Sequence, residues 1–174
     1  MNPKVNTIAY INVIEGKVDA DFDKVEKLLL DNSSNKLSDK PWASNYEDSE
    51  CPSSPIVDHI LNQITVDFCN ITQRNLFIDY YWGHIHEKNM STQLHDHPDC
   101  FASGVVYISV PKGSGSIVFS PNIDKRNRDL FLASFPPERG KYYVFPPYLE
   151  HYVTRNNADE KRVSLSFNFK EKKD

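Results

Sequence analysis

The chain has 174 residues, 39% hydrophobic and 25% charged, enough for one sizeable core and too few for two ordinary domains. A net charge of −4 argues against a general nucleic-acid or anionic-membrane binder, since neither phosphates nor acidic lipids would be attracted overall. No run approaches the roughly 18 apolar residues of a membrane span, residues 1–12 lack a signal-peptide pattern, and the three scattered cysteines suggest neither a disulfide framework nor a CxxC zinc site, so a reducing, cytoplasmic home is expected.

Two textures divide the chain. Residues 1–75 are expected to form an N-terminal strand and helical support, and residues 76–169 a strand-rich core, within a single domain spanning 1–174. Residues 7–14 are rich in strand formers, with Ala9, Ile11 and Val13 on one face, and Glu15-Gly16-Lys17 reads as a turn. Residues 20–30 put Phe22, Val25, Leu28 and Leu29 on one helical face. Residues 32–40 and 45–54 are polar and predict surface loops. Ser54-Pro55 opens a second helix with a capping hydroxyl and a proline at the first helical position. Ile56, Ile60, Leu61, Ile64 and Phe68 follow at helical spacing, as for a helix packed outside a sheet, and His59 within it reads as a surface residue. From Leu76 the period becomes two. Residues 76–82, 104–110, 116–119, 141–145 and 162–169 are strand candidates, rich in β-branched and aromatic side chains. Pro111 to Gly115 reads as a hairpin turn joining two of them. Residues 121–140 form a long polar connection; its Arg126, Arg128 and Arg139 read as solvated charges, with a substrate cover as the alternative. Many short strands with turns between them predict a sandwich or barrel.

Chemistry concentrates in three histidines. His95 and His97 lie two apart, so both leave one face of an extended segment, and His151 follows far along the chain after the Pro146-Pro147 turn. Two ligands from one strand edge and a third from a distant strand is how a β-sandwich builds a facial metal triad with open positions, and imidazole suits iron and its first-row neighbours. His84 and His86 form a second such pair without comparable context, and are not expected to ligate.

The segments Trp82-Gly83, Gln93-Leu94-His95-Asp96-His97-Pro98 and Ser103-Gly104-Val105-Val106-Tyr107-Ile108 carry a resemblance, continued by Gly115 to Phe119, Val144 to His151 and Arg162-Val163-Ser164-Leu165-Ser166-Phe167-Asn168. Together, and in this order, they resemble a family of small 2-oxoglutarate–iron(II) oxygenases over residues 76–169. The resemblance implies a mainly β fold, a double-stranded β-helix (jelly-roll) core with the N-terminal helices packed on one sheet. It implies Fe(II), with 2-oxoglutarate and dioxygen as co-substrates, and hydroxylation of an unidentified substrate with release of succinate and carbon dioxide. His151 would be the distal iron ligand, and Arg162 would pair with the far carboxylate of 2-oxoglutarate, helped by Ser164 on the same strand face. The planar guanidinium matches a carboxylate bidentately. Tyr107 reads either as a further donor to the co-substrate or as a core aromatic.

Many oxygenases of this kind carry H-x-D where this chain has His95-x-His97. Two ligand sets follow: His95, His97 and His151, or His97, Asp99 and His151. The first is preferred, because Pro98-Asp99 fits a turn and the resemblance aligns on H-x-H. Asp96 alternates away from both. The rival enzyme class is a cupin with a three-histidine metal and no 2-oxoglutarate, although no glutamate follows His97 at the spacing that class needs. A metal-free jelly-roll binding module is the non-enzymatic alternative.

Overall fold

The computed structural model describes residues 11–33, 51–121 and 132–172. In chain order their elements are β1 (Ile14–Lys17), α1 (Phe22–Asp31), α2 (Pro55–Thr72), β2 (Leu76–His86), β3 (Thr92–His95), β4 (Ala102–Ser109), β5 (Ile117–Ser120), β6 (Ala133–Phe135), β7 (Lys141–Phe145), β8 (Glu150–Val153) and β9 (Arg162–Glu171). They form two antiparallel sheets, a five-stranded one ordered β1-β7-β4-β9-β2 and a four-stranded one ordered β3-β8-β5-β6. This is a mainly β jelly roll with the helices on one sheet.

The period of two divides the five-stranded sheet into two chemistries. On β9, Val163, Leu165, Phe167 and Phe169 join Val25 and Leu29 of α1 and Val57, Ile60, Leu61, Ile64 and Phe68 of α2 in one core. Burying each such side chain stabilises by about 1.5–3 kcal/mol. Arg162, Ser164 and Ser166 alternate with them and face the other sheet. There a second, smaller cluster joins Val105, Tyr107, Tyr143 and Phe145 to Ile117 and Phe119 of the four-stranded sheet.

Local signals explain the helices. The Asp21 side chain caps α1 by accepting from the Lys24 N–H. Ser54 Oγ accepts from the Val57 N–H, with Pro55 opening α2, and Gln73 ends that helix in the left-handed region, its N–H donating to the Cys69 carbonyl. Val57 rather than Ile56 is the fully buried residue of the first turn. His59 is exposed on α2 and bonded to Gln63, one turn on.

Several expectations are corrected. Glu15-Gly16-Lys17 is part of β1, not a turn, and pairs with Tyr143, Tyr142 and Lys141. Gly16 serves there because the Tyr142 ring lies over it; a Cβ would come within 2.3 Å of that ring. Pro111 to Gly115 does not close a hairpin, because β4 and β5 belong to different sheets; the segment crosses between them. β2 runs past Gly83 to His86, and the expected connection at 121–140 contains β6. Arg139 is no substrate cover: it pairs with Asp23 and lies over the Phe22 ring. Residues 7–10 of the expected first strand, the expected loops at 34–40 and 45–50, and Arg126 and Arg128 lie outside the described residues. Cys51, Cys69 and Cys100 are free thiols. Among the described residues no helix is long and apolar enough to cross a membrane.

Candidate metal centre and co-substrate cavity

Strand register builds the floor of a cavity between the sheets. β9 lies between β4 and β2, so Tyr107, Ser164 and His84 come abreast, as do Val105, Ser166 and Trp82. His86 sits beside Arg162. All of these line one cavity, roofed by His95, Ile117, His151 and Val153 of the smaller sheet and by His97.

At one end stand the three histidines. His95 ends β3 directly opposite His151 on β8, and His97 follows two residues on, its N–H held by the Pro147 carbonyl at 2.9 Å. One ring nitrogen from each of His95, His97 and His151 can be chosen so that all lie within 4.8 Å of one another. The hydrogen bonds prepare two rings for a metal. His151 Nδ1 lies 2.9 Å from the Leu149 carbonyl and His95 Nδ1 2.8 Å from that of Gln93. A carbonyl only accepts, so each Nδ1 carries the proton and each Nε2 keeps its lone pair, the arrangement that orients ligating imidazoles. Asp99 is outside this group, exposed in the turn after His97, and Asp96 is exposed as well.

Farther along the cavity stands Arg162, 1% exposed. Its Nη1 donates to the Ser114 carbonyl at 3.1 Å and its Nη2 to His86 Nδ1 at 2.8 Å, while Nε, also buried, has no partner among the described residues. Among the described residues no Asp or Glu lines the cavity. An ion taken out of water without a counter-charge costs several kcal/mol, and burial pulls the Arg162 pKa down to about 10. A buried cation with an unused donor, in a cavity free of acidic groups, fits an anionic carboxylate. Ser164 and Tyr107 are buried in the same lining, and burial drives the Tyr107 hydroxyl's pKa upward, so it is a proton donor rather than a phenolate. Tyr107 also meets Tyr143 edge-on at 6.1 Å, as a core aromatic does. Lys161 and Arg155 are exposed and outside the lining.

His84 and His86 are the residues that sequence reasoning undervalued. Both project into the cavity. His84 Nε2 accepts from Trp82 Nε1 at 2.7 Å, and the Trp82 ring packs against His97 at 6.0 Å. The available signal was the alternation Tyr80, Trp82, His84, His86, which continues one face of the strand beyond Gly83.

Burial keeps these imidazoles neutral. It is the main cause lowering His84 and His151 to about 3 and His97 to about 4, with Arg162 adding to it at His84 and the neighbouring imidazoles adding to it at His97 and His151. The folded chain therefore refuses protons that the unfolded chain takes up below the ordinary 6.5, so this stability is complete above that pH and is lost as pH falls towards 4. Metal-free protein is expected to be less stable at pH 5.5 than at pH 7.5 by a few kcal/mol, on the order of one for each imidazole that burial keeps neutral. Urea unfolding with a chelator present measures this, and a flat profile would contradict neutral buried rings.

Comparison with known proteins gives these observations a family. The model of a family described as "Putative 2OG-Fe(II) oxygenase" matches residues 80–168. No curated protein matches the chain. Among solved structures, an oxidoreductase of the 2OG-Fe(II) oxygenase family from Burkholderia pseudomallei is 21% identical, with TM-score 0.56 over 67% of this chain and 57% of its own. The chain thus spans little more than half the length of that protein. The alpha-ketoglutarate-dependent epimerase SnoN from nogalamycin biosynthesis is 15% identical, with TM-score 0.73 over 91% of this chain and 77% of its own. A collagen prolyl hydroxylase from Paramecium Bursaria Chlorella virus-1, in complex with 2OG, is 15% identical, with TM-score 0.63 over 93% and 96%. These likenesses carry the fold, while the sequence match spans both the histidine group and Arg162: the chain belongs to the 2OG-Fe(II) oxygenase family.

Proposed function

We propose that the chain is a 2-oxoglutarate- and Fe(II)-dependent dioxygenase that hydroxylates a substrate carbon, consuming dioxygen and 2-oxoglutarate and releasing succinate and carbon dioxide. One observation carries the reading: a single cavity joins three clustered histidines to a buried arginine that has no acidic partner among the described residues. His95, His97 and His151 would hold iron through three ring nitrogens and leave its other positions open. Arg162 would receive the far carboxylate of 2-oxoglutarate, with Ser164 and Tyr107 as hydroxyl donors beside it. Bound iron and 2-oxo acid together supply the oxidising chemistry, and the protein supplies orientation and a dry site. Val105, Ile117, Phe145 and Val153 in the lining exclude water from the space between the two anchors. Tyr80 and Trp82, stacked at 5.4 Å, lie at the half-exposed end beside His97, where a substrate would approach. A three-histidine cupin that makes no use of a diacid would leave Arg162 buried without a purpose.

Anaerobic protein given Fe(II) and 2-oxoglutarate is expected to show the weak visible charge-transfer band of a chelated 2-oxo acid. Admitting air should release succinate slowly without added substrate. Failure to bind Fe(II), Mn(II) or Co(II) at neutral pH would refute the metal centre. Metal binding without any response to 2-oxoglutarate would favour the cupin class.

A further inference from the structure

The inner face of β2 carries a histidine that the metal group does not use and the family match does not explain. His86 is 1% exposed. Its Nδ1 lies 2.8 Å from Arg162 Nη2, and its ring Nε2 2.8 Å from Thr92 Oγ1. A guanidinium only donates, so Nδ1 must be the accepting nitrogen. The neutral ring then carries its proton on Nε2 and donates to Thr92. The His86 backbone is held too, because its carbonyl accepts from Asn156 Nδ2 at 2.8 Å, and Asn156 is wholly buried.

Two corners of the guanidinium are thereby fixed, Nη2 by His86 and Nη1 by the Ser114 carbonyl. Both acceptors are uncharged, so they orient the group without neutralising it. The third corner, Nε, is buried and takes no partner among the described residues. A carboxylate in place of the imidazole would grip the arginine harder and cancel the charge that a ligand needs. An apolar residue would preserve the charge and release the orientation.

We infer that His86 is a positioning residue for the co-substrate anchor: its neutral imidazole turns Arg162 so that the Nε edge, with full charge, meets the distal carboxylate of a five-carbon 2-oxo diacid. The inference rests on the reading of Arg162 as that anchor. It assigns His86 no contact with iron or with the reacting carbon. Thr92 belongs to the same device, because its hydroxyl receives the Nε2 proton and so keeps Nδ1 free to accept.

The test compares 2-oxoglutarate with 2-oxobutyrate, a 2-oxo acid lacking the distal carboxylate, by calorimetry on Mn(II)-loaded protein. Wild type should bind 2-oxoglutarate far more tightly. His86→Leu should lower that preference at least tenfold with 2-oxobutyrate binding unchanged, a split that general destabilisation does not produce. His86→Asn and His86→Asp serve where the leucine variant fails to fold. Both present an accepting oxygen, so asparagine should regain most of the preference while aspartate, which cancels the arginine's charge, should not. A wild-type preference retained in His86→Leu, or equal preference in the asparagine and aspartate variants, would overturn the role of His86. Equal binding of the two acids by wild type would instead remove the anchor role of Arg162, and this inference with it.

Discussion

Arg162→Ala is expected to weaken 2-oxoglutarate binding by about 30- to 1000-fold or more while metal affinity stays nearly intact. Removing one partner of a desolvated charge pair costs about 2–5 kcal/mol, because the other charge is left unpaired, and each 1.4 kcal/mol is roughly tenfold in affinity. The upper part of that range is favoured here, since the cavity offers the diacid no second cation among its lining residues. Lys161 cannot substitute, being exposed and paired with Glu87 at 2.9 Å, and Arg155 is exposed also. Metal-loaded wild type should gain thermal stability from 2-oxoglutarate by mass action. The variant should lose that gain at the same ligand concentration. A gain that survives Arg162→Ala would transfer the anchor to another residue and contradict the cavity chemistry described above.

His95→Ala and His151→Ala should each lose roughly 100-fold or more in Fe(II) or Mn(II) affinity, and Asp99→Ala almost nothing. Changes to groups that merely support a ligand already cost about 10- to 100-fold, and loss of a ligand should exceed that. His97→Ala is expected to lose comparably. Abolished binding in Asp99→Ala with binding kept in His95→Ala would instead establish the H-x-D set. Proton competition offers a second reading of the same centre, because ligand imidazoles must be neutral to bind. His97 and His151, held near 4 and 3, are already neutral between pH 5 and 7. The logarithm of metal affinity should therefore rise by at most about one per pH unit in that window, whereas three ordinary histidines would approach three at its acid end. Competition titrations in buffers of matched ionic strength would measure the slope.

Much of this arrangement was legible where one physical signal dominated. β9 alternates strictly between helix-facing apolar residues and cavity-facing polar ones, so residues 162–169 read as a strand with two distinct faces. Ser54-Pro55 announces α2, and both its cap and its first-turn proline are present. The elements that escaped are short or serve two purposes. β3 and β8 have four residues each, and their polar histidines belong to the cavity, not to a pattern of burial. β1 resembles a turn because Gly16 is commonly a turn residue; only the Tyr142 ring of a distant strand explains it. His84 and His86 were underrated for a similar reason. The expected strand stops at residue 82, before them, and the partner of His86 is an arginine 76 residues away. Sequence spacing reports neighbours along the chain, whereas this site depends on neighbours across a sheet.

The crossover from Pro111 to Gly115 has a practical consequence. By composition it is the kind of glycine-rich, polar tip at which peptide tags, labels and circular permutations are usually accommodated. Here the Ser114 carbonyl holds Arg162, the Gly113 carbonyl receives the Asn157 N–H, and Gly115 has a φ of +84° in contact with the Thr154 backbone. An insertion at this tip would act on Arg162 from outside the cavity. Engineering of the chain is better directed to the exposed side of α2 around His59 and Val66, which shares no hydrogen bond with Arg162.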